Sequence, residues 1–173
     1  MSFEYLCICF YSSLSPCPVA KRNALPDARL KADFLYNMVA YTKWPSDIGA
    51  TVNLCVYSEN LFGEAINLLN ARSVNGRYIV IQFEHNINFL PKWQAIFIAN
   101  SVINNLPFIP DSLNKKPILT SVDSKDAASQ GVIINMRGIT QNKIKSEADP
   151  KAALRAGLNL SSRLLHLATK VSQ

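Results

Sequence analysis

Apolar positions along this chain fall into two spacings, and the two alternate. Between Ala28 and Thr42 they recur at Leu30, Phe34, Leu35, Met38 and Val39, the period that lines one face of an amphipathic helix. Trp44-Pro45 closes the segment, because proline disfavours helical geometry in the residue before it. The run TVNLCVY, Thr51 to Tyr57, is short, apolar and rich in β-branched residues, which predicts a strand. Leu61 to Ala71 predicts a short helix carrying Ile66, Leu68 and Leu69, closed by a turn through Asn75-Gly76. Tyr78 to Phe83 (YIVIQF), Ala95 to Ala99 (AIFIA) and Ile118 to Val122 (ILTSV) are strands apolar on both sides, as expected where both faces of a sheet are covered. Val102 to Leu106 predicts a helical turn, Val132 to Met136 a strand after Gly131, and Lys143 to Ser146 a strand beside it.

The C-terminal region reads as one helix. Asp149 is a good N-cap and Pro150 suits the first helical position. Ala153, Leu154, Gly157, Leu158, Leu160, Leu164, Leu165 and Ala168 trace a broad apolar face, with Lys151, Arg155, Asn159, Ser162, His166 and Lys170 opposite. Asp149 and Gly157 are therefore structural positions. Helices alternating with apolar strands predict a single α/β domain, its sheet mixed or mostly parallel, with helices on both faces.

Composition narrows the class. The chain has 173 residues, 49% of them hydrophobic and 17% charged, which excludes a disordered chain and favours one domain with a full core. No apolar stretch reaches the roughly 18 residues that a membrane-spanning helix requires. The net charge of +6 comes from 18 basic and 12 acidic residues that are scattered rather than clustered, so nucleic acid is not an expected partner.

Residues 1–20 read as a signal peptide, 21–27 as a short linker and 28–171 as the domain. Tyr5 to Tyr11 is apolar, Ser12 to Pro18 is small and turn-forming, and Pro18 and Ala20 supply small residues for cleavage after Ala20. The n-region is atypical, with Glu4 and no Lys or Arg before Lys21. Two other readings compete for the segment: a lipoprotein box at Leu14-Ser15-Pro16-Cys17, and an N-terminus without an export role.

Catalytic motifs are missing. The six glycines make neither a dinucleotide-binding loop nor a P-loop, and no G-x-S-x-G elbow occurs. Three of the four cysteines lie in the first 17 residues, and the two histidines, His85 and His166, lack ligand spacing, so no structural metal is expected. Cys55, mid-strand between Leu54 and Val56, reads as a buried inert thiol. Asp123 and Asp126 with Ser121, Ser124 and Lys125 follow a strand end, where a capped turn is the simpler reading than a cation site. His85 reads as an exposed loop residue and His166 as part of a solvated stripe. No catalytic residue and no cofactor are assigned.

One set of motifs does resemble a family. Leu30 to Asn37 (LKADFLYN) with Thr42-Lys43-Trp44-Pro45 resembles the opening of the YfiR-like periplasmic regulators. The resemblance continues through Asn53 to Val56, Val74-Asn75-Gly76-Arg77, Ala95 to Ile98, Pro117 to Val122, Gly131 to Ile133, Ala152 to Leu158 and Ser161 to Ala168. It implies a small exported α/β protein, often dimeric, that binds the periplasmic sensor region of an inner-membrane diguanylate cyclase and represses cyclic di-GMP synthesis. An outer-membrane lipoprotein that sequesters the repressor, releasing biofilm growth, is implied as well. The alternative is a periplasmic sensor that binds a small ligand and has no cyclase partner. The family often places a second cysteine just before the Ala95 strand, where this chain has Trp93-Gln94, so that disulfide is expected to be missing. A Phe and an Asn expected before the last helix are replaced by Ser146 and Asp149.

The partner surface is expected at Tyr41, Lys43 and Trp44, where the first helix ends in two aromatics, a cation and a rigid proline. The competing reading makes Trp44 a plug of the core.

Overall fold

The stripe of the first segment becomes helix α1 (Ala24–Ala40), which buries Ala28, Ala32, Leu35, Met38 and Val39. The computed structural model describes residues 24–113, 116–124, 127 and 130–171. The signal peptide expected at 1–20 and residues 21–23 of the expected linker lie outside them, as do Cys7, Cys9, Cys17, Lys125 and Asp126, while linker residues 24–27 form the first turn of α1.

After α1 come β1 (Thr42–Lys43), β2 (Thr51–Tyr57), a 3₁₀ segment (Gly63–Leu69), β3 (Ser73–Val74) and β4 (Arg77–Glu84). A 3₁₀ segment (Ile87–Lys92) leads to β5 (Ala95–Ile98), and another (Asn100–Phe108) runs into α2 (Ile109–Ser112). The chain ends with β6 (Leu119–Asp123), β7 (Ile134–Thr140), β8 (Lys143–Ala148), α3 (Pro150–Arg155), β9 (Asn159–Leu160), α4 (Ser162–Leu167) and β10 (Lys170–Val171).

Among the described residues, eight strands form one sheet in the order β10-β8-β7-β6-β5-β2-β4-β3, while β1 and β9 pair separately. The strands β4, β2, β5, β6 and β7 are parallel, β10 is parallel to β8, and the hairpins β3–β4 and β7–β8 are antiparallel. The molecule is thus a single α/β domain with a mixed, mostly parallel sheet.

The period-2 alternation of the strands builds two cores. Val52, Leu54 and Val56 of β2 and Ala95 and Phe97 of β5 enter one core with α1, the Gly63–Leu69 segment, α3 and α4. Cys55 and Tyr57 of β2 and Ile96 and Ile98 of β5 enter the other, under the Ile87–Lys92 and Asn100–Phe108 segments and α2. We call these the α1 face and the 3₁₀ face.

Three expectations are corrected. The last helix is two helices, because Gly157 at φ +73° ends α3. Gly157 N–H donates to Leu154 O (3.0 Å) and Leu158 N–H to Ala153 O (2.8 Å), the paired bonds of a Schellman stop. The chain then runs extended through β9 and restarts at Ser161, whose Oγ accepts from Leu164 N–H (3.3 Å). Leu154, assigned to the apolar face, is 63% exposed as a result.

The second correction concerns β4, expected to be covered on both sides. Tyr78 is 57% and Phe83 41% exposed, because the outer neighbour β3 is only two residues long and β4 lies almost at the sheet's edge. The third is the helix over Leu61 to Ala71, which is a 3₁₀ segment starting at Gly63 (φ +54°), with Leu68 turned out to solvent.

Candidate functional site

The chain leaves α1 because Thr42 and the Trp44-Pro45 pair redirect it. Thr42 Oγ1 donates to Met38 O (2.7 Å) inside the last turn, and β1 pairs antiparallel with β9, Thr42 opposite Leu160 and Lys43 opposite Asn159. Ser161 N–H donates to Tyr41 O (2.9 Å), extending that pairing. Trp44 is half-buried against the α1-face core, and its Nε1 donates to Val39 O at 3.2 Å. It therefore combines features of both readings made from sequence: a packed ring and a surface edge. Tyr41 is half-buried and Lys43 exposed.

The site gains residues that sequence reasoning did not assign to it. The β3–β4 hairpin turns on Asn75 (φ +50°) and Gly76 (φ +77°), the left-handed pair of a type I′ turn. That turn brings Asn75 Nδ2 to Ala40 O (2.9 Å), satisfying a carbonyl at the end of α1. Arg77 Nε donates to Gly49 O (2.9 Å). Tyr41, Lys43, Trp44, Asn75, Arg77, Ser161 and Arg163 together line a cavity of ≈ 430 Å³. Three of these are cations, and no carboxylate lines the cavity among the described residues. The signal was present in the sequence as separate blocks, VNGR and SSR, whose convergence with YTKWP only the fold reveals.

The remaining candidates are structural in their placement. Cys55 is fully buried and free on the 3₁₀ face. Its pKa is pushed from 9.0 to about 12, first by loss of solvation and then by the negative charge of Glu84. Where the resemblance implied a second cysteine, Gln94 Oε1 accepts from Asn53 N–H (3.0 Å) and Asn53 Nδ2 (2.8 Å), so a polar clasp joins β2 to the start of β5. Asp149 Oδ1 accepts from Ala152 N–H (2.9 Å) and caps α3. Ser146 is buried opposite Met136, and its hydroxyl has no hydrogen-bond partner among the described residues.

Asp123 is ion-paired with Lys31 of α1 at 2.6 Å, and Ser121 Oγ donates to Ile96 O (3.1 Å). Among the described residues no three His, Cys, Asp or Glu side chains gather as a metal set. His85 is exposed beyond β4, and His166 is exposed on α4. No helix among the described residues is long and apolar enough to cross a membrane.

A family model described as YfiR/HmsC-like matches residues 28–169. No curated protein matches the chain. Among solved structures, a conserved domain protein from Vibrio cholerae is similar at a TM-score of 0.55 and 11% identity, covering 84% of this chain and 60% of that one. The ABC domain from Streptococcus pneumoniae, solved in complex with L-Trp, is similar at 0.55 and 12%, again covering 84% and 60%. At these identities the likeness is one of fold alone. The chain spans about three fifths of the length of both structures.

Proposed function

The chain belongs to the YfiR/HmsC-like family, and from that membership we propose that it is an exported, non-catalytic regulator. It acts in the periplasm, where it binds the sensor region of an inner-membrane diguanylate cyclase and holds cyclic di-GMP synthesis down. An outer-membrane lipoprotein that sequesters it would release the cyclase, and a homodimer is the expected form.

The family match over residues 28–169 carries this reading. The surface at the end of α1 supports it, because Lys43, Arg77 and Arg163 gather beside Tyr41 and Trp44. Half-exposed aromatics bury a large area on binding for little lost side-chain entropy, and flanking cations steer an acidic partner. The second reading, a small-ligand sensor without a cyclase partner, is favoured by the ≈ 430 Å³ of the same cavity, within the range of small-molecule sites.

The test is cyclic di-GMP in cells lacking the gene. Deletion raises it and the wild-type gene restores it, whereas Lys43→Glu with Arg163→Glu folds normally but fails to restore. That double variant should weaken binding to the cyclase sensor region by about 2 kcal/mol or more. An unchanged cyclic di-GMP level on deletion overturns the regulator reading and leaves the sensor.

A further inference from the structure

A second cavity, of ≈ 440 Å³, opens at the ends of β6 and β7 where the chain enters these strands, away from the α1 terminus. Its walls come from both layers of the fold. Ile109, Leu113 and Ile118 belong to the 3₁₀-face core, while Ala152 and Ala156 come from the α3 region on the other face. Its volume lies within the range of small-molecule sites, and its lining is apolar in the manner of such sites.

The polar groups are placed unevenly. Among the described residues the wall carries one hydroxyl, Thr120 Oγ1, which accepts from Ile133 N–H at 3.0 Å, so the interior has few polar side chains for a sugar or a nucleotide. The charged groups of the lining are the two exposed cations Lys116 and Arg155, and no carboxylate lines the cavity among the described residues. Lys116 Nζ donates to Pro91 O at 3.1 Å. Arg155 Nη2 is ion-paired with Asp149 Oδ2 at 3.8 Å, a loose contact beyond hydrogen-bond distance that an anion in the cavity would compete with.

We propose that this cavity binds a single-chain amphiphile, its alkyl chain lying among Ile109, Leu113 and Ile118 and its anionic head held by Lys116 and Arg155. A free fatty acid and a lysolipid phosphate share that chemistry. The ligand would tie the α2 layer to α3, coupling the two faces of the sheet. This site is separate from the proposed partner surface and does not depend on the regulator reading.

The experiment is calorimetry on the full chain with decanoate and with decyl phosphate, both below their micellar concentrations. Saturable binding of either probe, at one per chain, is expected, with decanoate standing for a fatty acid and decyl phosphate for a lipid phosphate. Lys116→Glu with Arg155→Glu should weaken it about tenfold or more and favour decyltrimethylammonium instead. Ala156→Phe, which fills the cavity, should abolish binding; should that variant not fold, the two surface substitutions still decide the matter. Absence of saturable binding overturns the site, as does equal affinity of the charge-reversed variant for the anionic probes.

Discussion

The two faces of the sheet are built from the same strands by opposite means. The α1 face is covered chiefly by one 17-residue helix in the same core as Val52, Leu54 and Phe97, joined by the 3₁₀ segment Gly63–Leu69 and the short α3 and α4. The 3₁₀ face is covered by two 3₁₀ segments and the four-residue α2, with Pro91 and Pro107 inside the segments. Proline withholds a donor and 3₁₀ geometry makes poorer hydrogen bonds, so this second layer depends on side-chain packing more than on its own backbone. Apolar burial is thus sufficient to cover a sheet without a regular helix. The difference should appear in cooperativity: the α1 face opens with global unfolding, whereas the 3₁₀ face has short units that can open locally.

The largest test of that contrast is a core truncation on each face. Phe97 packs edge-to-face on Phe62, ring centroids 5.0 Å apart, under the α1 face. Phe97→Ala should cost about 3–5 kcal/mol, the range for cutting a fully buried aromatic ring back to a methyl group. Leu106 is equally buried under the 3₁₀ face. Leu106→Ala should cost nearer about 2 kcal/mol, because short segments relax around a cavity more readily. Chemical denaturation of both variants measures the gap, and equal costs would remove the asymmetry.

Smaller effects sharpen the α1 side. Gly157→Ala has room, its added Cβ meeting only Pro117 Cβ at 4.0 Å, so the cost is the left-handed backbone alone, about 1–2 kcal/mol. Ser146→Ala should stabilise by up to about 1 kcal/mol, since it removes a buried hydroxyl that has no partner among the described residues. Thermal melts of the two variants should move in opposite directions.

The contrast also explains what was legible in the sequence. Leu35, Met38 and Val39 announced α1 by their spacing, and β2, β5 and β6 announced themselves by apolar runs, because a strand or a long helix repeats one rule over many residues. The 3₁₀ cover repeats nothing: Leu90, Leu106 and Ile109 are buried by separate turns. The C-terminal region misled for a different reason. The apolar positions from Ala153 to Ala168 fit one helix, and only the stop at Gly157 and the restart at Ser161 divide it. At the candidate site, Tyr41, Lys43 and Trp44 were legible as a local cluster. Asn75, Arg77, Ser161 and Arg163 were not, because the contact of the β3–β4 turn with the end of α1 and the β1–β9 pairing are long-range.

Cys55 supplies the finest probe of the comparison, because its thiol lies in the 3₁₀-face core. A thiol reacts as thiolate, and burial pushes this one from 9.0 to about 12, so at neutral pH the folded site is inert. The raised pKa means that the folded state holds the proton more tightly than the unfolded chain. Stability is therefore fully present below about 9 and declines as pH rises toward about 12. Labelling at pH 8, read on the Cys55 peptide so that Cys7, Cys9 and Cys17 do not interfere, measures how often this core opens. If the short segments open locally, labelling will be nearly independent of low denaturant and will be little accelerated by Phe97→Ala. If labelling instead follows global unfolding, rising with denaturant and with the Phe97→Ala destabilisation, the two faces form one cooperative unit despite their different covers.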